Sequence, residues 1–350
     1  MTRRRCATWM GCSVPAVAGN PYSRSGRVSY DIGPQSTNQA IPSGSAGSLR
    51  PVARLRSMLN TGDTNMVYGS GDYTYERVEG WGGGPAGRDL GVVSSMAVDS
   101  QDRVHVIDRE PNPAIVVYDR DGRFLYDWGQ DIFKVPHSLW ISEDDIIYIT
   151  EVELHTVMTF TLEGKILSML GTYGRPGELG QPFNSPTWAV LGLDDDLYVT
   201  DGYGQHYAHR FTTDGELLCT WGGHGSEAGQ FDTPHCVRVD RDGRVLIVDR
   251  GNARVQIFDA NGRFLESWDH LLAANDLYID PDDVVYLAEA PGRVSILNLD
   301  GEVLSQWGNR DEKDGVFVDA PHGIWVDSHG DVYVCEVPFA HNRIQKFRRV

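Results

Sequence analysis

From about residue 92 onward, short apolar runs alternate with polar turns in one recurring plan. An apolar strand runs into a turn, an alternating strand follows and ends in an acid, and another strand and hairpin complete the unit. Met96–Asp99 followed by Val104–Asp108 has its counterpart in Val237–Asp240 followed by Val245–Asp249. The same plan returns in Ile324–Asp327 followed by Val332–Glu336. Runs this short with alternating burial predict strands. Asp121-Gly122, Asp214-Gly215 and Asn261-Gly262 lie between such runs, and they supply the positive φ of a tight hairpin turn.

The outer strand of each unit ends in Trp-Gly or a near equivalent: Trp81-Gly82, Trp128-Gly129, Leu170-Gly171, Trp221-Gly222, Trp268-Asp269 and Trp307-Gly308. Six endings at intervals of roughly 40–50 residues have the spacing of four-stranded blades. The chain is therefore predicted to be all-β, a six-bladed β-propeller over residues 61–350. Only one strand, about residues 72–80, precedes the first ending, and the last repeat (321–347) holds three strands. The N-terminal strand is thus expected to complete the last blade, which closes the ring and leaves no long open edge. The tryptophans are expected to pack between blades.

Composition adds limits. Residues 1–60 are rich in Ser, Gly, Pro, Asn and Arg and read as a poorly ordered basic extension. The net charge is −18, yet eight arginines and a single acid, Asp31, precede residue 58, which leaves roughly −25 on the rest. So acidic a body repels phosphate backbones, and nucleic acid is not an expected partner. No apolar run approaches the roughly 18 residues that span a bilayer, so no membrane segment is expected. Cys6, Cys12, Cys219, Cys236 and Cys335 are odd in number and form no CxxC pair. Neither a disulfide framework nor a cysteine zinc site is indicated, and this favours the cytoplasm. Arg3-Arg4-Arg5 before a short, mildly apolar stretch leaves export open. The oligomeric state has no signature.

Candidate chemistry appears when the first strand of each blade is aligned. One position reads Ser94, His137, Thr187, His235, Asn275, His322 around the ring, with a proline before each histidine. The first strand of a propeller blade lines the central channel. Histidines in alternate blades are thereby set about 120° apart and aimed at the axis, with small polar residues between them. Three neutral imidazoles converging on one point suit Zn²⁺ with a fourth position left open, the arrangement of a catalytic site. His155, His206 and His209 are expected to be peripheral.

A second ring is acidic: Asp108, Glu151, Asp201, Asp249, Glu289 and Glu336 close the second strand of every blade. A feature common to all blades reads as turn capping or blade spacing. The residues just after the acid differ from blade to blade. Arg109 and Arg250 stand in blades one and four, on opposite sides of the channel, and Tyr203 comes after Asp201 in blade three. The arginines can clamp a carboxylate, and a tyrosine between two guanidinium groups and a metal is placed to act as a base.

These residues carry a resemblance. From Phe133 to Phe347, roughly two-thirds of the chain, the sequence resembles the peptidyl-α-hydroxyglycine α-amidating lyase family of NHL-repeat propellers. The similar segments are Val135–Leu139, Glu153–Val157, Thr200–Tyr203, Gly229–Phe231 through Pro234-His235, Val248–Arg250 with Asn252 and Arg254, and Ala320–His322. The resemblance implies cleavage of an N-acyl-α-hydroxyglycine to an amide and glyoxylate. It implies zinc on His137, His235 and His322, Tyr203 as the catalytic tyrosine, and Arg250 and Arg109 as the active-site arginines. The implied substrate is a small-molecule or short-peptide carboxylate.

The chain departs from the family at Ala320, where the family has methionine. Gly323 stands where the family has an aspartate that helps bind calcium, which puts Ca²⁺ in doubt. Gly204 and Ser185 stand where the family has a disulfide. Two other readings compete: a zinc hydrolase or C–O lyase on the same scaffold, and a non-catalytic NHL interaction module.

Overall fold

The computed structural model describes residues 66–84, 89–308, 316–337 and 344–350. The expected extension over residues 1–60 lies outside them, as do Cys6 and Cys12. The predicted strands form six antiparallel sheets, five of four strands and one of five, and together they make a six-bladed β-propeller. Blade one is representative. Val93–Val98, Val104–Asp108 and Ala114–Tyr118 are buried along their whole length. Only the outer Phe124–Trp128 is partly exposed. Three strands covered on both faces by neighbouring blades are mostly apolar, with the buried Ser94, Ser95, His105 and Asp108 hydrogen-bonded, and the outer strand need not be.

The ring closes as the sequence predicts, with one addition. The last blade runs outward from Ala320–Val326 through Val332–Val337 and Ile344–Arg349 to the N-terminal Tyr73–Val78, and then to a fifth strand, Val67–Ser70. Tyr75 is fully buried against Trp307 of blade five, with ring centroids 5.0 Å apart. The amide of Ser70 donates to Ser305 Oγ in the same blade at 2.8 Å. The N-terminal segment therefore both completes blade six and pins it to blade five. Four-residue Val67–Ser70 is too short and too polar to be legible as a strand from alternation alone.

The tryptophans pack between blades. Trp81, Trp128, Trp221 and Trp268 each lie against the outer hairpin of the next blade, where a glycine makes room. An added Cβ on Gly164 would fall 2.5 Å from Trp128, and one on Gly262 would fall 2.5 Å from Trp221. Both glycines also hold positive φ, 85° and 79°. Asn-Gly at 261–262 thus meets two demands at once, the turn and the wedge. Helix is confined, among the described residues, to one 3₁₀ turn at Arg250–Asn252, and no described helix is long and apolar enough to cross a membrane. Cys219, Cys236 and Cys335 are free thiols.

Gly262→Ala should lower the unfolding free energy by about 1–3 kcal/mol, the cost of left-handed backbone for a residue with a Cβ plus the clash with Trp221. Urea denaturation measures this. An unchanged midpoint would show that the hairpin is not wedged on the indole.

Candidate metal centre and active site

Each Pro-His pair lies at or one residue after the start of the inner strand of its blade, at a β-bulge. The register shifts between Pro136 and Ser138, between Pro234 and Cys236, and between Pro321 and Gly323, so the histidine is the extra residue in all three blades. A bulge turns its side chain away from the pleat, and proline at a strand's start withholds no ladder hydrogen bond. The three imidazoles consequently face one another. Ring centroids are 4.8 Å apart for His137 and His235, 4.9 Å for His235 and His322, and 5.2 Å for His137 and His322. One ligating nitrogen from each lies within 4.8 Å of the other two, and all three residues are buried.

The intervening polar residues hold them there. His137 Nδ1 donates to the Thr187 carbonyl at 2.8 Å, His235 Nδ1 to that of Asn275 at 2.6 Å, and His322 Nδ1 to that of Ser94 at 2.6 Å. Side chains continue the circuit. Thr187 Oγ1 donates to the Pro234 carbonyl at 2.7 Å, Asn275 Nδ2 to that of Pro321 at 2.8 Å, and Ser94 Oγ to that of Pro136 at 3.4 Å. Six bonds link six blades in a closed ring. With Nδ1 protonated, each neutral imidazole turns the lone pair of Nε2 inward. Burial pushes the pKa values of His137 and His235 well below the ordinary range, and the charges of Arg109 and Arg250 respectively add to this. His322 falls to about 3, through burial and then Arg109. Neutral nitrogen donors in this number fit a divalent ion that takes imidazole, zinc foremost.

Tyr203 and Arg250 stand over the histidines. The Tyr203 hydroxyl lies 2.9 Å from Nε2 of both His137 and His235. Arg250 Nη1 donates to that hydroxyl at 3.4 Å and to Asn275 Oδ1 at 3.4 Å, and its guanidinium sits 5.3 Å from the Tyr203 ring centre. Arg109 Nε donates to the Pro136 carbonyl at 2.8 Å, and its charge acts on His137 and His322. Tyr203 is 41% exposed while the histidines beneath it are buried, so solvent reaches this side of the cluster. All six predicted site residues are thereby brought together.

The acidic ring is structural. Asp108, Glu151, Asp201, Asp249, Glu289 and Glu336 are all fully buried, and each accepts a backbone N–H from the residue 17 positions upstream: Gly91, Lys134, Asn184, Asp232, Leu272 and Asp319. They fasten the segment that enters each inner strand. Arg254 extends this in blade four, joining Asp249 to the carbonyls of Ser226, Glu227 and Gln230.

A second group, His206, His224 and Asp232, also has ligating atoms within 4.8 Å of one another. Its chemistry does not fit a metal. His206 Nδ1 accepts the Thr233 amide at 3.1 Å, which places the proton of the neutral ring on Nε2 and leaves no lone pair there.

Comparison with known proteins finds an NHL repeat and relatives that include an amidating lyase. Residues 231–258 match the NHL repeat family. NHL repeat-containing protein 3 of Mus musculus is 33% identical over 194 residues, 51% of this chain and 56% of the mouse protein. Peptidyl-α-hydroxyglycine α-amidating lyase 1 of Drosophila melanogaster is 30% identical over 190 residues, 51% of this chain and 34% of the fly protein. The chain is a six-bladed propeller that carries an NHL repeat and is similar over about half its length to an amidating lyase. It spans about half the length of the mouse relative it matches. A streptogramin B lyase structure covers 81% of the chain and 87% of its own, with a TM-score of 0.54 at 14% identity, and shares the fold.

In this propeller the departures from the lyase pattern have visible consequences. A Cβ on Gly323 would meet Cys335 Sγ at 2.8 Å and Ser95 Cα at 3.2 Å, so an aspartate has no room beside His322. Where the resemblance places a disulfide, backbone bonds run instead: Tyr203 N–H to the Ser185 carbonyl at 3.3 Å and Gly204 N–H to that of Asn184 at 3.0 Å. From the sequence, Ser94, Thr187 and Asn275 count only for their size. Their occurrence in the histidine register is the signal, but a carbonyl's role leaves no mark on side-chain identity.

Thr187→Val keeps the shape and removes the hydroxyl bond to the Pro234 carbonyl. It should cost about 1–3 kcal/mol of stability, read from the denaturation midpoint. A loss below the error of that measurement would mean that the ring does not tie the blades.

Proposed function

We propose that this propeller is a zinc-dependent lyase that cleaves the C–N bond of an N-acyl-α-hydroxyglycine-type carbinolamide to an amide and glyoxylate. The observation that carries the reading is the Tyr203 hydroxyl, 2.9 Å from two of three converging imidazole nitrogens and 3.4 Å from Arg250. The 30% identity to a peptidyl-α-hydroxyglycine α-amidating lyase supports the same chemistry.

His137, His235 and His322 would hold the ion, which when bound supplies Lewis acidity toward an oxygen ligand. The chain's own groups do the rest. Arg250 and Arg109 bind the substrate carboxylate and offset charge that develops beside it. Tyr203, in its phenolate form, acts as base and takes the proton of the α-hydroxyl. The O–H electron pair becomes the carbonyl of glyoxylate as the C–N bond breaks, and the pair of that bond leaves on the amide nitrogen. The proton held by Tyr203 passes to that nitrogen. A neutral primary amide departs and the tyrosine is restored.

Glyoxylate release from a panel of N-acyl-α-hydroxyglycines and ureidoglycolate tests the reaction. Tyr203→Phe should reduce turnover by about 10²–10⁴-fold with zinc still bound. Unchanged turnover at full zinc content would remove Tyr203 as the base. Incubation in ¹⁸O-water should leave the amide unlabelled, and label in an acyl product would replace the lyase with a hydrolase.

A further inference from the structure

Two histidines outside the central cluster occupy matching places. His155 Nδ1 accepts the Ser185 amide at 3.0 Å, and the Ser185 carbonyl accepts the Tyr203 amide at 3.3 Å. His206 Nδ1 accepts the Thr233 amide at 3.1 Å, and the Thr233 carbonyl accepts the Arg250 amide at 3.2 Å. In both chains of bonds the histidine belongs to one blade and the loop it holds to the next. Ser185 and Thr233 each stand two residues before the ring position, at Thr187 and His235.

Backbone conformation shows that these loops are held under strain. Ser185 has φ 64° and Thr233 has φ 61°. A left-handed conformation is costly for a residue with a Cβ, most of all a β-branched one, and persists where surrounding bonds over-determine it. Blades one and two solve the same problem without a histidine. There the carbonyls of Val92 and Val135 accept the amides of Arg109 and Val152, neither valine has positive φ, and the Val135 amide goes to Glu151. The strained, histidine-held version occurs in the two blades that present Tyr203 and Arg250.

We infer that His155 and His206 are positioning residues, His155 setting Tyr203 and His206 setting Arg250, each through one strained loop residue. The inference rests on the lyase reading for its kinetic consequences and on geometry alone for the loops. Only an unprotonated Nδ1 can accept an amide, and burial holds both imidazoles below the ordinary histidine range, which keeps them neutral. A main-chain shift at either loop passes through its carbonyl to the turn that carries Tyr203 or Arg250, and misplacement on the scale of 1 Å costs up to about 10²-fold in rate.

The experiment pairs truncation with rescue in the zinc-loaded full chain. His155→Gly removes the acceptor yet tolerates the φ of 53° at that site. His206→Ala removes the second acceptor. His155→Gly should lower kcat about 10–100-fold and leave KM within about twofold, because Tyr203 moves the proton. His206→Ala should instead act mainly on KM, raising it about tenfold with a smaller fall in kcat than His155→Gly gives, because Arg250 binds the carboxylate as well as facing Tyr203. Asparagine at either position offers Oδ1 where Nδ1 lay and should restore both constants.

Amide hydrogen exchange supplies a readout independent of turnover. Ser185 and Tyr203 should exchange faster only in His155→Gly, and Thr233 and Arg250 only in His206→Ala. Unchanged exchange, or loss of protection in both loops from either substitution, overturns the inference. So does an equal fall of both kinetic constants in the two variants. If the wild-type chain releases no glyoxylate, the lyase reading fails and exchange alone decides the positioning. If a truncation does not fold, the asparagine variants decide: wild-type constants sustain the inference and their loss overturns it.

Discussion

The structure depends on a ring of hydrogen bonds that passes through every blade at the channel. Histidine Nδ1 donates to the carbonyl of the next blade's polar residue, and that residue's side chain donates to the carbonyl of the following proline. Each bond in such a dry interior contributes about 1 kcal/mol net, but leaving any of these groups unpaired would cost more. The same bonds that join the blades fix the tautomer of all three histidines. Fold and site therefore share one device. Loosening the ring to gain stability elsewhere would unaim the nitrogens.

This explains how the repeat can be both uniform and functional. The six acids, the glycine-backed tryptophans and the inner strands are common to the blades and carry the architecture. The proposed function rests on departures from the repeat: a histidine in alternate blades, a tyrosine in one, an arginine in two. Each departure is placed at the end of a rigid strand or in the turn just after it. The loops of blades three and four add strain, and their carbonyls hold the turns that carry Tyr203 and Arg250.

Much of this is legible in the sequence because propeller geometry converts register into position. Once the blades are aligned on their first strands, His137, His235 and His322 can only face the axis, and the acids after the second strands recur too evenly to be catalytic. The parts that escape are carried by backbone. The carbonyls of Ser94, Thr187 and Asn275 have no sequence signature. The bulge at each histidine is hinted at only by the preceding proline. His155 and His206 look peripheral in the sequence because their partners are main-chain amides 30 and 27 residues away, in the adjacent blade. The fifth strand at Val67–Ser70 escapes because four residues give too short a pattern to read.

The most direct test is zinc K-edge absorption combined with elemental analysis on the purified chain. The account predicts one zinc per chain, bound by three imidazole nitrogens at roughly 2.0–2.1 Å plus a lighter exchangeable ligand, and lost in His235→Ala. A chain that takes up no zinc would contradict it. So would an ion held by sulfur or carboxylate, because the ring would then be a structural seam with no metal to serve.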